Sequence, residues 1–513
     1  MTVSGDDVDT IVALGTASTV RDAGDGAIGV IRLSGPRAFS IVSRMFRGKR
    51  AFESIKPYTI GYGLIYDADR AVDEVLVLKM GAPRSYTRED VAEIHCHAGA
   101  EVQRRIIKLA IREGARAAGP GEFTKRAFLN GRIDLSQAEA VMDLIKARSE
   151  AGASAALSQL EGALSAKLGA ARGALIGLIA SLEAHLDFPE LEADEPGGAG
   201  IGETLSGADA GKSPSNTGIA NALSGIGIVN SLRRIERELC ALADSFEYGR
   251  AAREGVTAVI AGRPNVGKST LLNLFAGRDR AIVTDIPGTT RDMIDDYKDI
   301  GGFTVRFLDT AGIRDTEDSV ERIGVARTIA ALEKADLALL IVGADEGYTP
   351  GDERIAALAE GKKRIFIINK TDLVTEARAA EIRDAIAGRA GGNGAGELFD
   401  ANEQFVTNGA IVGASLINGI GLDAIENSII RLFAGQSPPG YGDAVLTNAR
   451  HFALVSRGAE SIRAAIAALG AGMPFEIPII DMRDALSALG EITGETFAED
   501  IIDRIFSEFC VGK

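Results

Sequence analysis

Eight consecutive residues, Gly262-Arg263-Pro264-Asn265-Val266-Gly267-Lys268-Ser269, fit the pattern G-x-x-x-x-G-K-[ST]. Glycines at both ends let backbone N–H groups curl around phosphate oxygens at a helix N-terminus. In such a loop Lys268 reaches the β/γ-phosphates and Ser269 is a Mg²⁺ ligand. Three further segments extend the pattern. Asp309-Thr310-Ala311-Gly312 closes an apolar run, where an aspartate holds Mg²⁺ through water and a glycine N–H meets the γ-phosphate. Gly288-Thr289-Thr290-Arg291-Asp292 supplies Thr290, able to sense the γ-phosphate and complete the Mg²⁺ shell. Asn369-Lys370-Thr371-Asp372 closes another apolar run. The Asp372 carboxylate can accept from guanine N1–H and from its exocyclic amine, a pattern adenine lacks. The order and spacing therefore imply GTP hydrolysis, with Lys268 in the catalytic machinery.

Two features of this constellation depart from a simple switch. Ile313 follows Gly312, where Ras-like proteins carry a water-orienting Gln. Another group must place the water or neutralise transition-state charge. The guanine-loop candidate Gly413-Ala414-Ser415-Leu416 lacks the usual Ser-Ala pair, and Ser415 is assigned to it. The nucleotide contacts implied are Asn265, Val266, Gly267, Lys268, Ser269 and Thr270; Gly288, Thr289 and Thr290; and Asp309 to Gly312, Asn369 to Asp372 and Ser415.

The elements that must position these groups are legible as period and punctuation. Val256–Ala261, Thr304–Leu308, Leu337–Val342 and Arg364–Ile368 are short apolar runs that predict buried parallel strands alternating with helices. This α/β block, 255–424, is flanked on both sides by helical text. Leu135, Val141, Leu144 and Ile145, then Leu157, Leu160, Leu164 and Leu168, recur at helical spacing. Helical text resumes around Leu232–Ser245, and again over Ile425–Lys513. The economical architecture is a helical domain in two parts, 133–254 and 425–513, with a mainly parallel P-loop domain inserted. The first 132 residues predict a separate domain of α/β or α+β type, with strands at Ile28–Leu33 and Glu74–Met80. Glu190–Gly227 and Gly388–Phe405 read as insertions, and glycine-rich Gly388–Gly396 within the second reads as a surface excursion.

The chain has 513 residues, 56 basic and 72 acidic, for a net charge of −16, which argues against a broad electrostatic grip on nucleic acid. No apolar run is expected to reach the ~18 residues of a membrane span, and the acidic N-terminus shows no secretory signal. Cys96, Cys240 and Cys510 lie far apart, which argues against disulfides and fits a cytoplasmic protein. His95 and His97 share a strand face as zinc ligands sometimes do, although the sequence pairs no acidic or Cys cluster with them. Phe509-Cys510-Val511-Gly512-Lys513 fits a prenylation box poorly; its bland reading is a frayed tail around a semi-buried thiol.

Several segments together carry a family likeness. They are Asp9–Ala13, Gly26–Pro36, Pro120–Gly131, Leu186-Asp187-Phe188-Pro189-Glu190, the nucleotide motifs and the terminal Cys-Val-Gly-Lys. Over nearly its whole length the chain resembles the MnmE (TrmE) family of bacterial tRNA-modification GTPases. The resemblance implies an N-terminal folate-binding domain that dimerises, over 1–132. It implies GTP hydrolysis coupled, with the FAD-containing partner MnmG in a heterotetramer, to aminomethyl or carboxymethylaminomethyl addition at C5 of the wobble uridine of certain tRNAs. The one-carbon unit comes from a tetrahydrofolate derivative, 5-formyl- or methylene-tetrahydrofolate. K⁺ takes the place of an arginine finger, with ligands matching Asn265, Thr284, Ile286 and Thr289, and Glu321 positions the water. The likeness also adds Thr284, Asp285, Ile286 and Pro287 to the nucleotide contacts. Folate contacts match Arg32, Glu93, Arg132 and Lys513. Cys510 is a candidate nucleophile. Departures are a longer Thr16–Gly24 turn and Arg132 where lysine is common. The competing reading is a regulatory switch GTPase serving ribosome assembly, which would carry an RNA-binding module and a basic surface.

Overall fold

The computed structural model describes residues 9–16, 27–187, 225–277, 296–308, 329–389, 398–400, 403–406, 409–435, 439–496, 499–507 and 509–512. Two compact units emerge, one made of Met1–Met142 with Gly490–Lys513, the other of Asp143–Leu489.

In the first unit seven strands form one sheet: β1 (Ile11–Leu14), β2 (Ile28–Ser34), β3 (Phe46–Gly48), β4 (Ile60–Asp67), β5 (Arg70–Met80), β6 (Val91–His97) and β7 (Arg116–Ala117). Their order is β3-β4-β5-β6-β2-β1-β7, antiparallel throughout except the β1–β7 pair. Alternation decides the faces: Ile31, Leu33, Val75, Val77, Ala92 and Ile94 point into a core closed by helices Ala38–Met45 and Ala100–Arg112. On the opposite face Ile60 (68% exposed), Tyr62 (60%) and Leu76 (40%) stand uncovered, with Tyr62 directly across from Leu76. The chain end returns to this unit. Helix Glu499–Ser507 and Phe509 pack on Leu135, Ala138 and Met142.

The second unit holds an eight-stranded sheet in the order β13-β14-β15-β12-β11-β8-β10-β9. The strands are β8 (Val256–Gly262), β9 (Asp296–Ile300), β10 (Phe303–Leu308), β11 (Leu337–Gly343), β12 (Lys363–Asn369), β13 (Leu398–Asp400), β14 (Glu403–Val406) and β15 (Gly409–Gly413). Strands β10, β8, β11, β12 and β15 run parallel, as the near-continuous Val/Ile/Leu runs require of strands buried on both faces. Beyond the glycine-rich Gly388–Gly396 stretch, most of which lies outside the described residues, β13 and β14 form an antiparallel extension of the sheet edge.

The helical text also resolves differently from expectation. The stretch after Leu135 is three helices, Leu135–Lys146, Glu150–Leu160 and Ala163–Asp187, with Ser149 capping the second by accepting from Gly152 N. Helix Gly225–Asp244 begins earlier than Leu232. Helix Ala163–Asp187 has 25 residues and is long and apolar enough, by length and composition, to cross a membrane, although Lys167, Arg172 and Glu183 interrupt its apolar run. Leu164, Leu168, Leu175, Ile179 and Leu182 lie on one buried stripe of it, the pattern of a helix packed in protein.

Candidate functional site

Strand β8 ends at Gly262 and the next regular element is helix Lys268–Gly277, so the phosphate-binding pattern occupies a strand-to-helix turn at the carboxyl end of a central parallel strand. Its backbone is constrained. Asn265 sits at φ 61°, a left-handed conformation that Asn tolerates, and Gly267 at φ 109°. A Cβ on Gly267 would lie 2.3 Å from Asn369 Nδ2. Lys268 Nζ donates to the carbonyls of Gly262 (2.9 Å) and Arg263 (2.6 Å), so the ammonium folds back over the loop. Burial pulls its pKa below the ordinary lysine value. Ser269, in the first turn of that helix, offers a hard hydroxyl oxygen of the kind Mg²⁺ takes.

Asn369, at the end of β12, joins three loops. Its Nδ2 donates to Val266 O at 2.7 Å, its Oδ1 accepts from Leu416 N at 3.0 Å, and its carbonyl accepts from Ala344 N at 2.8 Å. Lys370 adopts φ 64° and its ammonium pairs with Asp345 at 2.7 Å. Thr371 donates through N and Oγ1 to Ala414 O. Ser415, only 2% exposed, donates its hydroxyl to Asp372 Oδ1 at 2.6 Å, and Asn418 Nδ2 donates in turn to Ser415 Oγ at 2.9 Å. Sequence reasoning assigned Ser415 to this loop; the geometry gives it the task of orienting the Asp372 carboxylate. Asn418 was missed, as was Arg263, whose Nε lies 2.9 Å from both carboxylate oxygens of Asp352. The Thr349–Asp352 capping box was a readable helix-start signal. Nothing in the sequence showed that the same aspartate also holds the phosphate loop.

The remaining nucleotide candidates, Thr284 to Thr290, Asp309 to Gly312 and Glu321, lie outside the described residues, as does Lys513.

In the first unit Arg32, Glu93 and Arg132 line one cleft of about 570 Å³ with Met80, Pro83, Arg84, Ser85, Tyr86 and Arg88. Arg32 Nε pairs with Glu93 Oε1 at 2.9 Å. The guanidinium carbons of Arg32 and Arg132 lie 5.7 and 4.6 Å from the Tyr86 ring centroid, and Arg132 also donates to Tyr86 O at 2.9 Å. Phe123 backs Arg32 at 5.7 Å. The histidines find carboxylates the sequence did not reveal. His97 Nδ1 lies 2.7 Å from Asp73, and His95 Nε2 lies 3.3 Å from Glu93. No metal-holding group of three or more ligands occurs among the described residues.

The tail is docked rather than frayed. Gly121 N donates to Cys510 O at 3.2 Å and Pro120 bridges Val511. Gly512 at φ 99° passes so close to β1 that a Cβ would lie 2.0 Å from Leu14 O. The Cys510 side chain is exposed.

Residues 10–132 match the family model described as GTP-binding protein TrmE N-terminus, and residues 135–510 match the MnmE helical domain. A tRNA modification GTPase MnmE of Acetivibrio thermocellus is 43% identical over 507 residues, covering 98% of this chain and 99% of that protein. The protein of the same name from Geobacillus kaustophilus is 42% identical over 510 residues, covering 98% and 99%. Among solved structures, a point variant of Aquifex aeolicus Era bound to GDP·AlF4⁻ is 28% identical with a TM-score of 0.27, covering 40% of this chain and 66% of that one.

Proposed function

The chain belongs to the MnmE family of tRNA modification GTPases, and we propose that its GTP hydrolysis serves C5 modification of the tRNA wobble uridine. The added group is aminomethyl or carboxymethylaminomethyl, and the partner is the FAD-containing MnmG in a heterotetramer in the cytoplasm. The observation that carries this reading is the presence in one chain of two sites of different chemistry. One is a phosphate loop tied through Asn369 to a guanine-reading carboxylate. The other is the cleft that gathers Arg32, Glu93 and Arg132. A ribosome-assembly switch needs only the first.

The division of labour follows from the side chains. Asp372, oriented by Ser415, reads guanine. Lys268 meets the phosphates, and Ser269 with Thr290 would hold Mg²⁺. Glu321 orients the attacking water. Asn265, Thr284, Ile286 and Thr289 would hold K⁺, which supplies positive charge beside the β/γ-phosphates. Turnover is therefore expected to fall by about tenfold or more when Na⁺ replaces K⁺; equal rates in the two salts would remove K⁺ from the mechanism. The cleft takes a 5-formyl- or methylene-tetrahydrofolate, whose aromatic ring suits Tyr86 and whose carboxylates suit the arginines; the family likeness adds Lys513 as a contact. The uncovered apolar face carrying Ile60, Tyr62 and Leu76 supports dimerisation through the N-terminal domain. The domain division proposed is 1–132, 133–254, 255–424 and 425–513.

Mass spectrometry of tRNA nucleosides from cells lacking this chain tests the function. Loss of C5-modified wobble uridine is expected. An unchanged nucleoside profile with accumulating ribosomal precursors would overturn it in favour of the switch reading.

A further inference from the structure

The charge of the first unit's cleft exceeds what its assigned ligand needs. Four guanidiniums line it, those of Arg32, Arg84, Arg88 and Arg132, against one carboxylate, Glu93, for a balance of 4 − 1 = +3. This occurs in a chain whose net charge is −16. Arg32 and Arg132 are engaged at the floor, beside Tyr86, with Glu93 paired to Arg32. Arg84 and Arg88 are exposed, and no carboxylate among the described residues pairs with either.

Both arginines are held on a pinned loop. Tyr58 Oη donates to Arg84 O and to Gly81 O, and Arg84 N donates to Gly81 O. Asn130 Nδ2 donates to Thr87 O at 2.7 Å, and the Arg88 side chain donates to Asn130 O at 3.0 Å. Arg88 sits at φ 60°, a conformation disfavoured for a long side chain. Strain of that kind persists only where the surroundings over-determine it and gathers at ligand sites. That one contact to Asn130 O leaves most of the guanidinium's five N–H donors available.

We propose that Arg84 and Arg88 form a carboxylate-binding rim and that the cleft's ligand is the poly-γ-glutamyl form of the folate. The inference rests on the folate reading above. A folate with a single glutamate brings two carboxylates, and each added γ-glutamate brings one more on a flexible chain. A rim of two fixed cations beyond the ring-binding floor matches such a tail. A nucleic-acid backbone would demand a wider basic surface, which an acidic chain does not offer.

The test is binding of 5-formyltetrahydrofolate carrying one glutamate and carrying three, measured by titration calorimetry on the full-length protein. Comparison variants are Arg84→Ala, Arg88→Gly and the double variant. Arg88→Gly relieves the left-handed backbone, so loss of selectivity there cannot come from misfolding. The wild-type protein is expected to prefer the three-glutamate form by about tenfold at low salt, from two exposed ion pairs. That advantage should shrink at high salt and fall to about twofold or less in the double variant. Equal wild-type affinity for the two forms overturns the rim while leaving the folate reading standing. A chain-length advantage that survives the double variant, with tRNA binding weakened instead, reassigns the arginines to RNA. Failure of either form to bind overturns both readings.

Discussion

At the scale of single residues, the guanine reading proposed for Asp372 rests on an ordered carboxylate. Asn418 holds Ser415, and Ser415 holds one oxygen of Asp372. Asp372→Asn replaces one acceptor by a donor, which faces the guanine amine with a like group. GTP affinity is expected to fall by about 10²-fold, and xanthosine triphosphate, with a carbonyl at that position, to bind instead. Competition titration of the two nucleotides checks this. The thiols divide as sharply. Burial first, then the Asp73 charge, raises the Cys96 pKa to about 11. The native chain therefore keeps that proton above pH 9, where an ordinary thiol has lost it, and thiolate appears only as pH nears 11. Cys510 is exposed. Iodoacetamide at neutral pH is expected to alkylate Cys510 and spare Cys96; peptide mass spectrometry that finds Cys96 modified in the folded protein would contradict its burial. The residues legible from sequence were those whose types carry chemistry at fixed spacing: Lys268, Asn369, Asp372, Ser415. Arg263, Asn418 and the partners of His95 and His97 were not, because their roles depend on contacts between distant segments such as Arg263 with Asp352.

At the scale of elements, the turn between β8 and helix Lys268–Gly277 works only if its backbone can follow the curve. Gly267→Ala adds a Cβ at φ 109°, 2.3 Å from the Asn369 amide, and so strains the loop and displaces the residue that ties it to β12. Nucleotide binding is expected to be lost while the far-ultraviolet circular dichroism persists. Gly361→Ala is the control: φ is also positive, at 82°, but no atom lies within 4 Å of the added group, so binding should survive. The central strands of this sheet were readable because strands buried on both faces leave continuous apolar runs. The edge pair β13–β14 was not, since a short strand in polar, glycine-rich text carries no period strong enough to read. The helical spacing of Ala163–Asp187 was readable, but its overall apolar length was not, for a related reason. Its charged residues interrupt the linear run while the helical wheel keeps them off the buried stripe.

At the scale of the whole molecule, the tail and the nucleotide site belong to different compact units. GTP turnover and tRNA modification should therefore separate. Deleting Cys510–Lys513 removes the Gly121 and Pro120 contacts but leaves Phe509 in its core. Turnover is expected within a few-fold of wild type, with wobble-uridine modification lost; parallel loss of both would make the tail a folding element. Cys510→Ser should likewise spare turnover and abolish modification, and it isolates the thiol because the tail's recorded contacts there run through backbone atoms. The packing of the returning chain end in the first unit was invisible from sequence because no local pattern encodes which distant surface Phe506 and Phe509 will meet. That return also sets a schedule for synthesis. Residues 143–489, which are 489 − 142 = 347 in number, must leave the ribosome between the two pieces of the first unit. At about 5–20 residues per second this takes roughly 20–70 s. Throughout that interval the nascent chain presents Leu135, Ala138 and Met142 without the aromatic side chains that cover them, an apolar patch that a chaperone would have to shield until translation ends.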